Sequence, residues 1–333
     1  MPLDSRPTAE GALQLVTARA NDVVEHARLI GGWTLRMQQL SAGPFRSDLT
    51  ELKLDYMQLI RERTTQALWK EDEIGNGAVI FCVPLRAAGQ GYLNGHVIAF
   101  PEVVLLDGNN LPAVLTPRDL DVVTLAIDRR WLLESLERLG ERDTVDALVG
   151  SDRHHCIGVD RAGSPLIRDL LIDLFESCDH AQRALRVLQA RQALQEELLL
   201  ALSQTLVSPA RRPLDVAAPQ KRVADRAREL LLAHVDEPPS IADLCKHLGV
   251  SRRSLQVCFQ DAVGMAPAQF LRAARLNAVR RELRALSETG SQPSIGDVAA
   301  RWGFWHWSRF AAHYRMLFGE LPSDTCRRDA IRD

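Results

Sequence analysis

The sequence predicts an α+β chain: a β-rich N-terminal block with trailing helices, then an all-α domain of two helix-turn-helix units joined by a linker helix. Three observations carry this. One pattern is written twice between Ile241 and Pro322. Short alternating runs with turn signals between Leu35 and Ile127 give way to leucines spaced three and four apart between residues 131 and 205. A proline-bearing stretch, 208–220, has few large apolar groups and reads as a linker. The expected units are 1–130, β-rich; 131–207, helical; 208–220, linker; and 221–333, the double helix-turn-helix domain.

The repeat is the firmest element. Ile241, Asp243 and Gly249 recur at Ile295, Asp297 and Gly303. Beyond the turn the offset grows by one, so Leu255, Phe259, Gly264 and Pro267 recur at Phe310, Tyr314, Gly319 and Pro322. In each copy a short apolar-periodic helix ends at a glycine, which takes the left-handed cap without steric cost. Ser251 is placed to cap the second helix of copy one. Small residues, Cys245 and Ala299, sit where crossing helices need close approach. Leu255, Cys258 and Phe259 face inward, which leaves Arg252, Arg253, Gln256 and Gln260 on the opposite face. Arg and Gln can make paired hydrogen bonds to guanine and adenine edges, and the second helix of such a unit is the one that enters the major groove. A single copy would read equally well as an ordinary helical hairpin; two copies point to DNA.

Between the copies, Pro267 suits the first turn of a helix. Phe270, Leu271, Ala274, Leu276, Val279 and Leu283 mark an apolar face interleaved with Arg272, Arg275, Arg280, Arg281 and Arg284. Such a helix can hold two reading heads one DNA turn apart. Residues 287–293 then break it.

Residues from about 222 to 328 resemble the DNA-binding domain of the AraC/XylS family of bacterial transcription regulators. The resemblance is carried by Ser251–Gln256, Gly264–Arg272, Gly303–Phe310 and Phe318–Pro322. The wording of Trp302–Phe310 and Phe318–Ser323 is similar to the ethanolamine-utilisation regulator subgroup. The resemblance implies a DNA-binding regulator, an activator, that contacts RNA polymerase. It also implies a small-molecule effector, an amine or amino-acid-like compound by the subgroup wording, and a homodimer joined through the helical region. This sequence departs from the family at its second recognition helix. Its groove face includes Trp307, Ser308, Ala311 and Ala312, flanked by Arg309 and Arg315. Alanines offer thymine methyl contacts but no hydrogen-bond code. Copy one is therefore expected to read sequence. Copy two would hold phosphate through Arg309, Arg315 and His306 or His313. Trp305 and Trp307 read equally as packing residues.

The N-terminal half follows in order. Residues 1 to about 20 read as a lead-in, and Asn21–Ile30 as a short helix stopped by Gly31 and Gly32. Leu49–Ile60 reads as one half-buried strand, Ala78–Leu85 and Val122–Ile127 as buried strands. Asn94-Gly95 between apolar pairs reads as a hairpin turn. Short strands with turns between them suggest an antiparallel barrel or sandwich. Gln39–Ser47 and Leu59–Thr65 make this block resemble the cupin-like effector domain that precedes many AraC/XylS DNA-binding domains, which implies an interior able to hold one ligand. Arg61, Glu62, Arg63, Trp69 and Tyr92 are the pocket candidates, against a plainer reading as solvated strand faces. Leu166, Leu170 and Leu174 begin one helical stripe, and Leu185, Leu188, Leu194, Leu198 and Leu202 another, to be buried on the barrel or in a dimer.

Charge divides the chain. From Lys221 onward there are 18 Lys+Arg and 13 Asp+Glu, net +5, leaving −7 for the rest of a chain of net −2. Such asymmetry suits a nucleic-acid-binding module attached to an acidic partner domain. No apolar run of about 18 residues predicts a membrane span. The scattered cysteines fit reduced thiols, and the regulator reading places the protein in a bacterial cytoplasm, with the nucleoid. The alternative is a cupin-type enzyme with an accessory helix-turn-helix domain. It lacks a nucleophile motif, a phosphate loop or a dinucleotide glycine pattern. His96 has no partners at ligand spacing, and Arg153–Cys156 offers no convergent set. No catalytic residue, metal or cofactor is therefore expected.

Overall fold

A computed structural model describes residues 14–73, 77–109, 111–150, 156–160, 165–177, 183–206, 212–214, 219–233, 239–289 and 294–328. The N-terminal half is two antiparallel sheets. The larger has the order β1 (Gln14–Ala20), β3 (Ser47–Lys53), β4 (Met57–Thr64), β11 (Arg118–Ile127), β6 (Val79–Ala88), β9 (Val103–Asp107), β12 (Cys156–Asp160), β13 (Arg212–Pro213). The smaller runs β2 (Thr34–Gln39), β5 (Leu68–Glu73), β10 (Val114–Leu115), β7 (Gln90–Leu93), β8 (His96–Ala99). Among the described residues no strand pairing joins the two sheets, so the expected barrel is an open one.

Strand alternation explains how the large sheet serves two neighbours. Leu59, Phe81, Val83, Leu105, Val123 and Leu125 point to its outer face and are buried under helices α2 (Arg129–Arg138), α4 (Pro165–Glu176) and α5 (Leu188–Leu206). Their alternates Ile60, Glu62, Ile80, Cys82, Val104, Val122 and Thr124 line the space inside the barrel. A short helix, α3 (Arg142–Gly150), precedes β12. Burying one such Leu or Phe stabilises the fold by about 1.5–3 kcal/mol, which is why the outer face holds α5 so firmly.

Four details differ from the sequence reading. Leu49–Ile60 is a hairpin, not one strand. The chain turns at Leu54–Tyr56, where Leu54 N–H donates to Met57 O at 2.8 Å, and β3 pairs with β4 from Ser47↔Thr64 to Lys53↔Gln58. The lead-in is structured from Gln14: β1 pairs along the whole of β3. In α4 the buried face is Ile167, Leu171 and Phe175, one residue on from the leucine stripe, and Leu166 is exposed. The sheet continues past the barrel through β12 and β13, two strands the helical texture of that region hid. The Asn94-Gly95 turn is as expected, with φ of 50° and 77° between β7 and β8. Arg153–His155 and most of the 208–220 stretch lie outside the described residues.

The C-terminal half is helical: α6 (Pro219–Ala233), α7 (Ile241–Leu248), α8 (Arg252–Val263), α9 (Pro267–Glu288), α10 (Ile295–Arg301), α11 (Trp307–Phe318) and α12 (Pro322–Arg328). Helix α7 starts in a capping box between Ser240 and Asp243 and ends at Gly249, φ 64°. Ser251 caps α8 through the Ser254 N–H. Pro267 opens α9. In copy two the cap position of α11 is His306, whose side chain makes no capping bond. Equivalent repeat positions are buried alike: Leu244 and Val298, Leu255 and Phe310, Phe259 and Tyr314.

Candidate functional site

The exposed faces of α8 and α11 are built by the same arithmetic. In α8, Leu255, Cys258, Phe259, Ala262 and Val263 turn inward. Arg252, Arg253, Gln256 and Gln260 are left exposed, and none of their side chains forms a hydrogen bond or ion pair with the described residues. Two guanidinium and two amide groups are therefore held out to solvent on one rigid helix. Val257, 47% exposed beside them, went unnoticed in the sequence because it breaks the polar pattern.

In α11, Phe310, Tyr314, Leu317 and Phe318 are buried. Trp307, Ser308, Arg309, Ala312, Arg315 and Met316 are exposed, and His306 stands exposed at the helix entry. The packing reading fails for Trp305, which is 73% exposed. Phe304 takes the inward position instead, 5.2 Å from the Phe310 ring, so its neighbour points out. Trp307 is half-exposed and its ring lies over Gly296, where a Cβ would fall 2.5 Å away. Partial burial lowers the pKa of His313, with the charges of Arg272 and Arg309 adding to it, so its ring is biased to the neutral form. The cationic work on this face falls to the arginines.

Both units are docked on the barrel. Leu40, Trp69 and Leu115 belong to the same apolar core as Ala262, Phe270 and Phe318. Trp69 stands edge-on to Phe270 at 5.6 Å, and Arg228 of α6 lies 4.8 Å over its ring while pairing with Glu71. Further along the linker helix, Gln39 exchanges two hydrogen bonds with Asn277 of α9: its N–H donates at 3.0 Å and its carbonyl accepts at 2.8 Å. Gln39 Nε2 donates to Leu317 O at 2.6 Å, and the Gly43 N–H reaches Met316 O at 3.1 Å.

Arg280 is the hub of this contact. Arg280, one of the arginines interleaved along the linker helix, is only 7% exposed. Its Nε donates to Asp22 Oδ2 at 2.6 Å, its Nη1 lies 2.9 Å from Glu320 Oε1, and the guanidinium sits 4.5 Å over the Phe318 ring. Arg284 adds a second contact to Asp22 at 2.5 Å. Asp22 also caps helix α1 (Val23–Leu29) through the N–H groups of Val24 and Glu25. Burial opposes the Asp22 charge, but Arg280 and Arg284 outweigh it and hold the carboxyl below its ordinary range.

A cavity of about 150 Å³ lies between the sheets. Of the five pocket candidates, Glu62 and Tyr92 line it. Arg61 does not: it alternates to the outer face of β4, forms a two-pronged bond to Asp121 at 2.9 and 3.0 Å, and is buried. Arg63 joins the same carboxylate at 3.1 Å. Trp69 is spent on the contact with α9. The sequence missed Lys70 and His26, which reach Glu62 from other elements. Lys70 Nζ donates to both Glu62 oxygens at 2.6 and 2.7 Å, and His26 Nε2 lies 2.8 Å from Oε1. Burial again opposes ionisation, and Lys70 and His26 overcome it, so Glu62 stays charged far below the ordinary carboxylate range.

The duplicated units, with two exposed helix faces, define a double helix-turn-helix DNA-binding domain. Residues 244–328 match a family model described as "Helix-turn-helix domain". This part of the chain is a helix-turn-helix domain. The chain is 28% identical over 223 residues to a probable thc operon regulatory protein of Rhodococcus erythropolis, covering 65% of this chain and 64% of that protein. It is 37% identical over 101 residues to XylDLEGF operon transcriptional activator 2 of Pseudomonas putida, covering 30% and 63% respectively. It is 27% identical over 207 residues to the HTH-type transcriptional regulator ArgR of Pseudomonas aeruginosa, covering 62% and 58%. The matches thus span less than two thirds of each of these relatives. Among solved structures, an AraC-type DNA-binding-domain regulator from Chromobacterium violaceum aligns over 34% of this chain and 96% of its own, at 27% identity and a TM-score of 0.30. No described helix is long and apolar enough to cross a membrane.

Proposed function

We propose that the chain is a sequence-specific DNA-binding transcription regulator, an activator, whose barrel senses a small molecule. The observation that carries this is the pair of equivalent exposed helix faces, with Arg252, Arg253, Gln256 and Gln260 exposed on the first. In this reading α8 specifies bases, and α11 grips phosphate through Arg309 and Arg315 with apolar contact from Trp307, Ala312 and Met316. His306 and Ser308 lie at the α11 entry, where recognition helices meet base edges.

The docking contacts suggest how the two halves communicate. Helix α1 carries His26 against Glu62 on the cavity wall, and its cap Asp22 against Arg280 on the linker helix. Occupancy of the cavity would shift α1 and so the population of docked and DNA-competent arrangements. A homodimer and a contact with RNA polymerase complete the proposal on the strength of the family resemblance.

The test is footprinting on genomic DNA fragments across a salt series, with Arg253→Ala and Gln256→Ala beside the parent. Protection of two adjacent major-groove segments, with discrimination reduced by about 1–3 kcal/mol in each variant, is the expected result. Sequence-blind binding that disappears at moderate salt would refute it.

A further inference from the structure

Resting on the sensor reading above, we infer that the barrel cavity takes a small, uncharged, largely apolar molecule bearing one hydrogen-bonding group. Three observations support this. The first is size: about 150 Å³ is the volume of a cavity that accepts a single benzene-sized ring. The second is the wall. Ile60, Ile80, Val104, Leu106 and Val122 from the large sheet face Leu35 and Met37 from the small one.

The third is the state of the charges on that wall. The Lys70 ammonium is bound by both oxygens of Glu62, and the remaining reach of Glu62 goes to His26. Glu102, buried on the same wall, is itself engaged. A carboxylate ligand would have to displace Glu62 from Lys70 while lying beside two buried carboxylates. An ammonium ligand would meet Lys70 and would find both carboxylates, Glu62 and Glu102, already engaged. Either would also leave its water shell for an apolar chamber, a cost that only full pairing offsets. A neutral hydroxyl or carbonyl can share the edge of the Glu62–Lys70 pair without breaking it. This disfavours the amine or amino-acid-like effector suggested by the sequence wording.

The experiment uses the full chain and three probes of one shape: benzyl alcohol, benzoate and benzylamine. Binding is read by calorimetry and by quenching of tryptophan fluorescence. Trp33 lines the cavity, so the quenching that Trp33→Phe removes reports that site alone. The expected result is that benzyl alcohol binds at least tenfold more tightly than either charged probe. Its binding should fall at least tenfold in Cys82→Phe and Thr124→Phe, which fill the chamber from β6 and β11. If a filled variant does not fold, the preference among probes and the Trp33 signal still decide. A charged probe that binds as tightly as the alcohol, or no Trp33-dependent signal from any probe, overturns the inference. Neither outcome touches DNA reading, which the footprint tests separately. A sequence-blind footprint would sink the regulator and leave the probe result standing.

Discussion

The two helix-turn-helix units come from one sequence pattern, yet they present different surfaces and meet the barrel differently. Unit one offers arginine and glutamine to solvent and leans on the barrel through apolar contacts, Tyr92 beside Gly264 and Trp69 in one core with Ala262. Unit two offers tryptophan, alanine, methionine and arginine, and is tied to the barrel by polar bonds through Gly43 and the buried Arg280 and Gln39. The repeat dictates the inward positions in both, because a helical hairpin needs the same core whatever it touches. The outward positions are free to diverge. The unit that carries hydrogen-bonding side chains for bases is the one held by apolar contact. The unit held by a buried ion network has little hydrogen-bond code to present.

The largest expected effect removes the centre of that network. Arg280→Met leaves Asp22 and Glu320 buried without their shared cation, and breaking a buried pair in this way costs about 3–5 kcal/mol. Urea unfolding should show the loss. Unit one makes none of these contacts, so base discrimination by α8 should persist in the variant at temperatures where it remains folded. A drop of under 1 kcal/mol would mean that the two units are not held differently at all.

Acid should reach the same contact. The folded-state pKa of Asp22 lies below its ordinary value of 3.8, so its ionic contribution is fully present above that value and is lost as pH falls through the lower folded one. The melting temperature should therefore fall on the acid side of pH 3.8, and more gently in Asp22→Asn, which starts from a lower plateau. Equal acid slopes in the two proteins would remove Asp22 from the account.

How much of this was visible in the sequence follows from which interactions are local. Helix ends, glycine caps and the repeat core were legible because capping and 3.6-residue periodicity act within a few residues, as Ser240, Gly249 and Gly264 show. The Asn94-Gly95 hairpin was legible for the same reason. The Leu54–Tyr56 turn was not, since it has neither glycine nor proline and alternation runs through it. The burial of Arg280 was not legible, because its partner, Asp22, is 258 residues away. His26 and Lys70 escaped notice for a similar reason: only the fold brings a helix and a second strand to the Glu62 carboxylate. On the recognition faces the helix's own period located the exposed polar residues, but the reading missed Val257 and Met316, put the half-buried Ala311 on the groove face and left Trp305 open to packing.

The cap glycines give a medium-sized test of the difference between units. Gly264 and Gly319 both adopt the left-handed conformation, at φ 69° and 75°. Alanine at either should cost about 1–2 kcal/mol from backbone strain alone. They differ in what a methyl group would strike: the Tyr92 ring 2.6 Å away at Gly264, and Pro44 at 3.0 Å at Gly319. Tyr92 can move and Pro44 cannot. Gly264→Ala should thus be partly rescued by Tyr92→Ala, and a double-mutant cycle should give a coupling beyond the roughly 0.5 kcal/mol scatter of additivity. An additive pair would show that unit one does not rest on Tyr92.

The smallest effect sharpens the division of labour itself. If α11 holds backbone and α8 reads bases, Arg309→Ala should weaken binding uniformly across operator variants and lower the salt-dependence slope by about one. Gln256→Ala should leave that slope unchanged and flatten discrimination at one position. The comparison needs only a small set of single-base operator variants, measured at several salt concentrations with both proteins. A change of sequence preference in Arg309→Ala would move reading into unit two despite its alanines. The carrier would then be Trp307, whose ring lies over Gly296 at the helix entry and stays half-exposed.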